Sequence, residues 1–194
     1  MNTNHSAKSC LMTVGAMVCT LVLQTISPSS AVADDGSIRF KGGIGVIPVS
    51  SVAGCPAAPA ACVTGPPVTV NPNVVRGVSP PGQIWVIDRL DARVSANGSI
   101  NVEGKGLILA GGNNAGRPPP GTSVIATLIC SATTPFTQFG TSTAGVMLSP
   151  NGDFKINDKL SPTPPAPCTS PMLLIRNAAN LAWFAVGIFR ADDD

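Results

Sequence analysis

Apolar and polar residues alternate with a period of two along residues 89–105, which is the pattern of half-buried β-strands. Apolar side chains fall on one face of each stretch, and charged or amide side chains fall on the other. The residues predicted to face inward are Leu90, Ala92, Val94, Ile100 and Val102. The alternation therefore predicts two antiparallel strands that form a hairpin.

The turn of this hairpin follows from the same alternation. Residues that face each other share one side of a sheet, so Val94 should lie opposite Ile100. That pairing leaves a three-residue loop of Ala96, Asn97 and Gly98. Gly98 is then expected in the left-handed region, after a type I turn.

A second stretch, residues 146–160, repeats this arrangement. Its turn carries Asn151 and Gly152 after Pro150, whose fixed φ suits the first turn position. The same parity places Leu148 opposite Phe154. A duplicated hairpin and two independent turns that obey one rule both explain the likeness, and both predict the same local structure.

Other segments also have the composition of strands. Glycines 42, 43 and 45 in the first of them predict a bulge or a close backbone approach. The last is almost wholly apolar; a short helix is the alternative, but its Trp, Phe, Val and Ile content favours a strand buried on both faces. The segments are 37–49, 122–132, 172–177 and 181–190.

Connections rich in Pro and Gly separate these strands, and no convincing helix follows residue 33. They span residues 50–81, 111–121 and 161–171. Many short strands joined in this way predict a single all-β domain over residues 34–194. The predicted fold is an antiparallel β-sandwich, immunoglobulin-like or related.

The N-terminus has the order of regions found in a secretory signal peptide. Lys8 precedes the apolar segment 11–26, and a small-x-small motif ends at Ala33, which predicts cleavage between Ala33 and Asp34. A transmembrane anchor is the alternative, but the apolar segment is short and interrupted. A lipoprotein attached at Cys19 is disfavoured by the residues before that cysteine. The sequence therefore predicts residues 1–33 as a signal peptide and a secreted or periplasmic protein without an anchor after processing.

Charge and composition restrict the possible partners. The chain has 12 Lys and Arg and 10 Asp and Glu; Lys8 and the sole histidine, His5, lie in the predicted signal peptide, so 11 basic and 10 acidic residues remain. This balance argues against a nucleic-acid ligand and against an anionic membrane surface. A protein or cell-surface partner is compatible with the composition, but the sequence identifies none.

Cys10 and Cys19 lie in the predicted signal peptide, so the exported chain keeps an even number of cysteines. In an oxidising compartment these favour disulfides over a metal site, because their spacings of 7, 68 and 38 lack close pairs and no His remains. Three pairings are possible; the favoured one joins Cys55 to Cys62 and Cys130 to Cys168.

Catalytic chemistry has few candidates in the exported chain. Without His or Tyr there is no Ser-His-Asp or Cys-His pair and no phenolic acid or base, so no enzyme, cofactor or metal is expected. Asp91 and Glu103 are expected on the solvent face of the first hairpin. Asp88 is the exception, because alternation from Val86 and Leu90 points it inward, where a carboxylate needs a partner. The candidate partners are Arg39, Arg76 and Arg176.

Four short segments carry a resemblance to other proteins; they are Trp85-Val86-Ile87, Gly104-Lys105-Gly106-Leu107, Ala126-Thr127-Leu128-Ile129-Cys130 and Pro167-Cys168. They resemble segments of a loose group of secreted bacterial β-rich proteins of unknown function. The resemblance covers roughly the second half of the chain. It implies a Cys130–Cys168 disulfide and a bacterial envelope or extracellular setting, and it implies no activity.

The predicted function is therefore that of an exported binding or structural domain of unknown ligand. One alternative is a hydrolase that uses Asp88 and a second acid as its catalytic carboxylates. A further alternative is an adhesive or assembly subunit, which an unpaired strand over residues 37–49 would favour because an open sheet edge can pair with another chain.

Overall fold

A computed structural model of the chain describes residues 36–47, 49–51 and 70–191, of which 49–51 and 70–72 are described by backbone alone. These residues form an all-β structure without a helix and belong to one compact unit, Asp34–Asp194. The strands are β1 (Ile38–Gly45), β2 (Val49–Ser51), β3 (Val70–Pro72), β4 (Trp85–Val86), β5 (Arg89–Val94), β6 (Ser99–Lys105), β7 (Ile108–Leu109), β8 (Ser123–Ile129), β9 (Gln138–Gly140), β10 (Val146–Met147), β11 (Phe154–Lys159), β12 (Met172–Asn177) and β13 (Trp183–Arg190).

A nine-stranded antiparallel sheet dominates the fold and is nearly closed on itself, in the manner of a barrel. Its order is β10-β8-β12-β13-β1-β5-β6-β11, with β9 paired to β8. Ser149 N donates to Asp153 O at 2.9 Å in the turn that joins the two end strands. Gly140 and Ser161 exchange backbone hydrogen bonds of 3.1 and 2.8 Å. These contacts bring the ends of the sheet together.

The first hairpin has the predicted register and turn. Val94 lies opposite Ile100, and the inward positions of β5 and β6 are buried. Gly98 N donates to Ser95 O at 2.9 Å, and Gly98 has a φ of 84°. The left-handed glycine after a type I turn is therefore confirmed.

The second Asn-Gly segment has the same turn but not the same strands. Gly152 N donates to Ser149 O at 2.9 Å, and Gly152 has a φ of 79°. The flanking strands do not form a hairpin ladder, since β10 pairs with β8 and β11 pairs with β6. The predicted pairing of Leu148 with Phe154 is thus not part of a ladder, and the turn instead links the two ends of the sheet.

Gly98 and Gly152 provide a matched test, because they share a backbone conformation but not an environment. A Cβ at Gly98 would lie 3.3 Å from Pro164 Cδ, whereas at Gly152 it would overlap the backbone of Leu107. We expect G98A to lower the free energy of unfolding by about 1–2 kcal/mol, because alanine is strained in the left-handed conformation. G152A should cost about 2–5 kcal/mol, because overpacking adds to that strain. Urea unfolding of both variants measures the difference, and equal losses would contradict this account.

The glycine-rich first strand contains the predicted bulge. The register of β1 against β13 shifts between Phe40 and Gly43. Gly45 lies directly against the backbone of Trp85, so a side chain at this position would overlap it. Glycine is therefore required here for close approach of β4 to the main sheet.

The core fills the interior of the sheet and continues beneath the small β4–β7 sheet. Trp85 is 4% exposed and stacks on Phe184, with ring centroids 4.0 Å apart. Val46 joins the layers, because its N–H donates to Phe184 O and its carbonyl accepts from Trp85 N, each at 3.0 Å. The apolar segment predicted as a strand is β13, which is largely buried as far as Gly187 and exposed over its last three residues.

Cys130 and Cys168 form a disulfide, as predicted. Arg76 fixes the backbone beside it: its Nη1 donates to Ile129 O at 3.0 Å and to Ser170 O at 2.6 Å. Burial lowers the pKa of the Arg76 guanidinium below its ordinary value. Arg76 therefore ties the end of β8 to the proline-rich connection.

Several predictions lie outside the described residues. They are the signal peptide over residues 1–33, the cleavage site between Ala33 and Asp34, and the Cys55–Cys62 disulfide. Within the described part of the chain, no helix has the length and apolar character needed to cross a membrane.

Candidate functional site

The prediction of a buried carboxylate at Asp88 is wrong, because Asp88 is exposed. The strand alternation on which it depended is interrupted: β4 ends at Val86 and β5 begins at Arg89, so the parity of one does not carry into the other. Trp85 is buried and Val86 is 39% exposed, the reverse of the expected orientation. Asp88 therefore does not provide the buried acid that would have favoured a carboxylate hydrolase.

Two of the arginines proposed as partners of Asp88 have other roles. Arg76 donates to the Ile129 and Ser170 carbonyls, and Arg176 donates to Leu181 O at 2.7 Å and to Gln138 Oε1 at 2.7 Å. Arg39 lies on β1, next to Arg190 of β13 on one side and Arg93 of β5 on the other. Arg39 therefore belongs to a larger charged surface that extends over these strands.

The outer face of strands β13, β1, β5, β6 and β11 carries a row of polar side chains in register. Each member lies opposite the next on the neighbouring strand, and all are exposed. Across four strand spacings of about 4.8 Å, the row extends for about 19 Å. In order across the sheet, this arginine row consists of Arg190, Arg39, Arg93, Asn101 and Asn157.

A second row runs beside the first and places two carboxylates between two lysines. Lys41, Asp91, Glu103 and Lys155 are register neighbours on β1, β5, β6 and β11, and form the carboxylate row. Asp91 lies directly opposite Glu103, a repulsive arrangement.

Neighbouring cations offset this repulsion. Arg89 Nε donates to Asp91 Oδ2 at 2.6 Å, and Lys105 Nζ lies 3.8 Å from Glu103 Oε1. The hydrogen bond to Asp91, reinforced by its charge, raises the pKa of the Arg89 guanidinium. The predicted position of Asp91 and Glu103 on the solvent face of the hairpin is confirmed. Asp91 is half-buried there, and both residues belong to an ordered array.

Together the two rows line a depression of 790 Å³ on the outer face of the sheet, which we call the charged groove. It presents cations at its ends and along one side, carboxylates at its centre, and amides toward β11. The cations are Arg39, Lys41, Arg93, Lys155 and Arg190, against the carboxylates of Asp91 and Glu103. Among the described residues, five positively charged side chains line the groove against two negatively charged ones.

Residues 36–191 carry more positive charge than residues 34–194 as a whole. Residues 36–191 contain 11 Lys and Arg but only five Asp and Glu, a formal charge of +6. The remaining five acids lie at Asp34, Asp35 and residues 192–194, outside the described residues. The near-neutral total therefore conceals a separation of charge along the chain.

The strand proposed as an open edge lies inside the sheet. β1 pairs with β13 on one side and with β5 on the other. Because both sides of β1 are paired, this strand does not provide the open edge that would have favoured assembly with another chain.

Within the described residues, no group of three or more His, Cys, Asp or Glu side chains is placed to hold a metal ion.

The sequence indicated that alternate residues of β5 and β6 are charged, but not that they form one surface with β13, β1 and β11. Outward charges at alternate positions of β1 and β11 were a signal available in the sequence. The pairing of β1 with the distant β13, which completes the arginine row, was not readable from any local pattern.

Comparisons with protein-family models, curated proteins and solved structures found no match. The resemblance to secreted bacterial β-rich proteins therefore stays a prediction. The basis for a functional proposal is the charged groove.

Proposed function

We propose that this chain is an exported, non-catalytic binding domain that holds an acidic polysaccharide of the envelope or extracellular medium in its charged groove. The observation that carries this proposal is the arginine row, in which the side chains of Arg190, Arg39 and Arg93 align on adjacent strands. Guanidinium groups form strong, geometrically specific hydrogen bonds with carboxylates and sulfates. An aligned set suits a ligand that carries such groups at intervals.

The rest of the groove suits the hydroxyl groups of a sugar chain. Asn101 and Asn157 offer amide donors and acceptors at one end of the arginine row, and Asp91 and Glu103 offer acceptors beside it. A ligand with both acidic groups and hydroxyls uses cations, amides and carboxylates together. These features support a carbohydrate polymer over a purely anionic one.

Nucleic acid fits this surface less well. Phosphates spaced along a backbone would meet the carboxylates of Asp91 and Glu103 at the centre of the groove, and the groove contains no tyrosine or tryptophan on which bases could stack. The groove itself, and not the net charge, therefore argues against a nucleic-acid partner.

We also propose that the near-closed sheet is flattened into the two facing layers of a sandwich. Support comes from the bulge of β1 against β13, at the midpoint of the strand order, because bulges increase bending and twist. The layers would then be β10-β8-β12-β13 and β1-β5-β6-β11. An experimental structure with these halves face to face at about 10 Å would support the sandwich, and a round cross-section would contradict it.

Retention on immobilised heparin and on immobilised polygalacturonate tests the groove, because these polymers present sulfate and carboxylate groups on a sugar chain. The triple variant R39Q/R93Q/R190Q should bind about tenfold to hundredfold more weakly than the unaltered protein, at about 0.5–1 kcal/mol for each arginine contact. N101A/N157A should weaken binding of both polymers but leave any residual binding of double-stranded DNA unchanged.

The matched control is R117Q, which removes one positive charge from an exposed position outside the groove and is compared with the single variants R39Q, R93Q and R190Q. Thermal unfolding checks that each variant is folded. Equal weakening by R117Q and by the single groove variants would show that binding depends only on net charge and would overturn the proposal. Tighter binding of DNA than of either polysaccharide would overturn the assigned ligand class.

A further inference from the structure

A second group of polar side chains lies away from the charged groove, around Arg176 of β12. Arg176 is 7% exposed, and every acceptor that it contacts is neutral. Its Nε donates to Leu181 O at 2.7 Å, while Nη1 donates to Gln138 Oε1 at 2.7 Å and to Thr127 Oγ1 at 3.4 Å. Within the described residues, no carboxylate forms an ion pair with this guanidinium.

A buried charge without a counterion is costly, and proteins ordinarily pair such a group or use it to bind a ligand. Burial lowers the pKa of Arg176, although a guanidinium stays protonated in proteins. Its Nη2 makes no hydrogen bond to the described residues and keeps contact with solvent. The side chain is thus held rigidly by two of its nitrogens while the third remains available.

Arg176 forms part of the wall of a depression of 610 Å³, which we call the Arg176 pocket. Most of its other lining residues are hydroxyl or amide side chains, and one further cation lies at its rim. Those used below are Gln138, Ser142, Thr143, Asp158, Lys159 and Ser161.

Asp158 is the one carboxylate that lines this pocket, and its oxygens are already engaged. Its Oδ2 accepts from Ser142 N and its Oδ1 accepts from Lys159 N, each at 2.7 Å. Each Asp158 oxygen therefore has a backbone donor, and neither oxygen is bonded to Arg176. The carboxylate therefore fixes the rim near Ser142 instead of neutralising the buried guanidinium.

We propose that the Arg176 pocket is a binding site for a small oxyanion group, namely a phosphate, sulfate or carboxylate. Arg176 is its primary donor through Nη2, the exposed Lys159 ammonium supplies further positive charge, and the Ser142 and Thr143 hydroxyls complete the donor set. The oxyanion supplies the counter-charge that the described residues do not provide. The pocket is a second site, with lining residues separate from those of the charged groove.

An NMR titration of the whole protein with inorganic phosphate tests this site directly. The Nε–Hε signal of Arg176 and the side-chain amide signals of Gln138 should shift progressively and saturate. K159Q should weaken phosphate binding by roughly two- to fivefold, the effect of one solvent-exposed ion pair. R176K keeps the charge but loses the planar fork, so it should abolish the saturable shift at Gln138.

Arg117 supplies the matched control, because it is exposed and lines neither depression. R117Q should leave phosphate binding unchanged. If R176K does not fold, the proposal is tested by the site-resolved signals of the unaltered protein and by the comparison of K159Q with R117Q. The proposal is overturned if the Arg176 and Gln138 signals do not saturate, or if K159Q and R117Q weaken binding equally.

The two sites can be separated with the groove variant. R39Q/R93Q/R190Q should bind phosphate at Arg176 with unchanged affinity, and a loss there would place the phosphate in the groove and overturn the proposal. Titration with sulfate and acetate then assigns the source of the oxyanion. Tighter phosphate and sulfate binding supports a tetrahedral group, whereas tighter acetate binding supports a carboxylate, and either order supports an oxyanion site.

Discussion

Replacement of Cys130 and Cys168 by alanine is expected to lower the free energy of unfolding by about 4 kcal/mol. The disulfide closes a loop with a sequence separation of 38 residues, and its loss increases the conformational freedom of the unfolded chain. Cys130 is 7% exposed, so the small cavity left by the sulfur adds to the loss. Urea unfolding of C130A/C168A measures the change.

The double variant C55A/C62A is the matched control for the loop-length argument. These cysteines have a sequence separation of 7, and a disulfide between them is expected to contribute about 2.5 kcal/mol. C130A/C168A should therefore be the less stable of the two variants. The reverse order would show that loop entropy does not account for the effect of the Cys130–Cys168 bond.

The features that could be predicted from the sequence are those determined by neighbouring residues. The turn around Asn97 and Gly98 follows from side-chain parity and from the need for a left-handed residue, and it forms as predicted. Likewise, the bulge in β1 was indicated by its glycines. Such features depend on local backbone chemistry, which a single sequence displays.

The prediction at Asp88 failed where local periodicity stops. Two short strands separated by Ile87 and Asp88 look in the sequence like one alternating strand, but β4 belongs to a different sheet from β5. The backbone of Trp85 packs against Gly45 and its N–H donates to Val46 O, so β4 is held by contacts outside the hairpin. A tertiary contact therefore overrides the alternation, and no pattern in the hairpin itself displays that contact.

The groove was missed for a related reason. Its members come from five strands, and the neighbour relation between β1 and β13 spans almost the whole length of the domain. Net charge was also misleading, because the acids at the two ends of residues 34–194 balance a basic body. Charge counted over the folded body is the better guide to partners, since electrostatic attraction acts over about 8–10 Å at moderate ionic strength.

The small β4–β7 sheet should contribute to the stability of the whole domain, and W85A tests this with an expected loss of about 3–5 kcal/mol in the free energy of unfolding. Trp85 is 4% exposed, and its ring stacks on Phe184 of β13 at 4.0 Å with an interplanar angle of 17°. Alanine removes this contact and leaves a cavity between the two sheets. Urea unfolding with an unchanged m-value measures the loss.

The adjacent residue on the same strand is the control for that measurement. Val86 is 39% exposed, so V86A should change the free energy of unfolding by no more than about 0.5 kcal/mol. A loss in W85A that is no larger than in V86A would show that β4 and β7 unfold independently of the main sheet. A large loss in W85A alone would establish that the hydrogen bonds through Val46 and the stacked rings join both sheets into one cooperative unit.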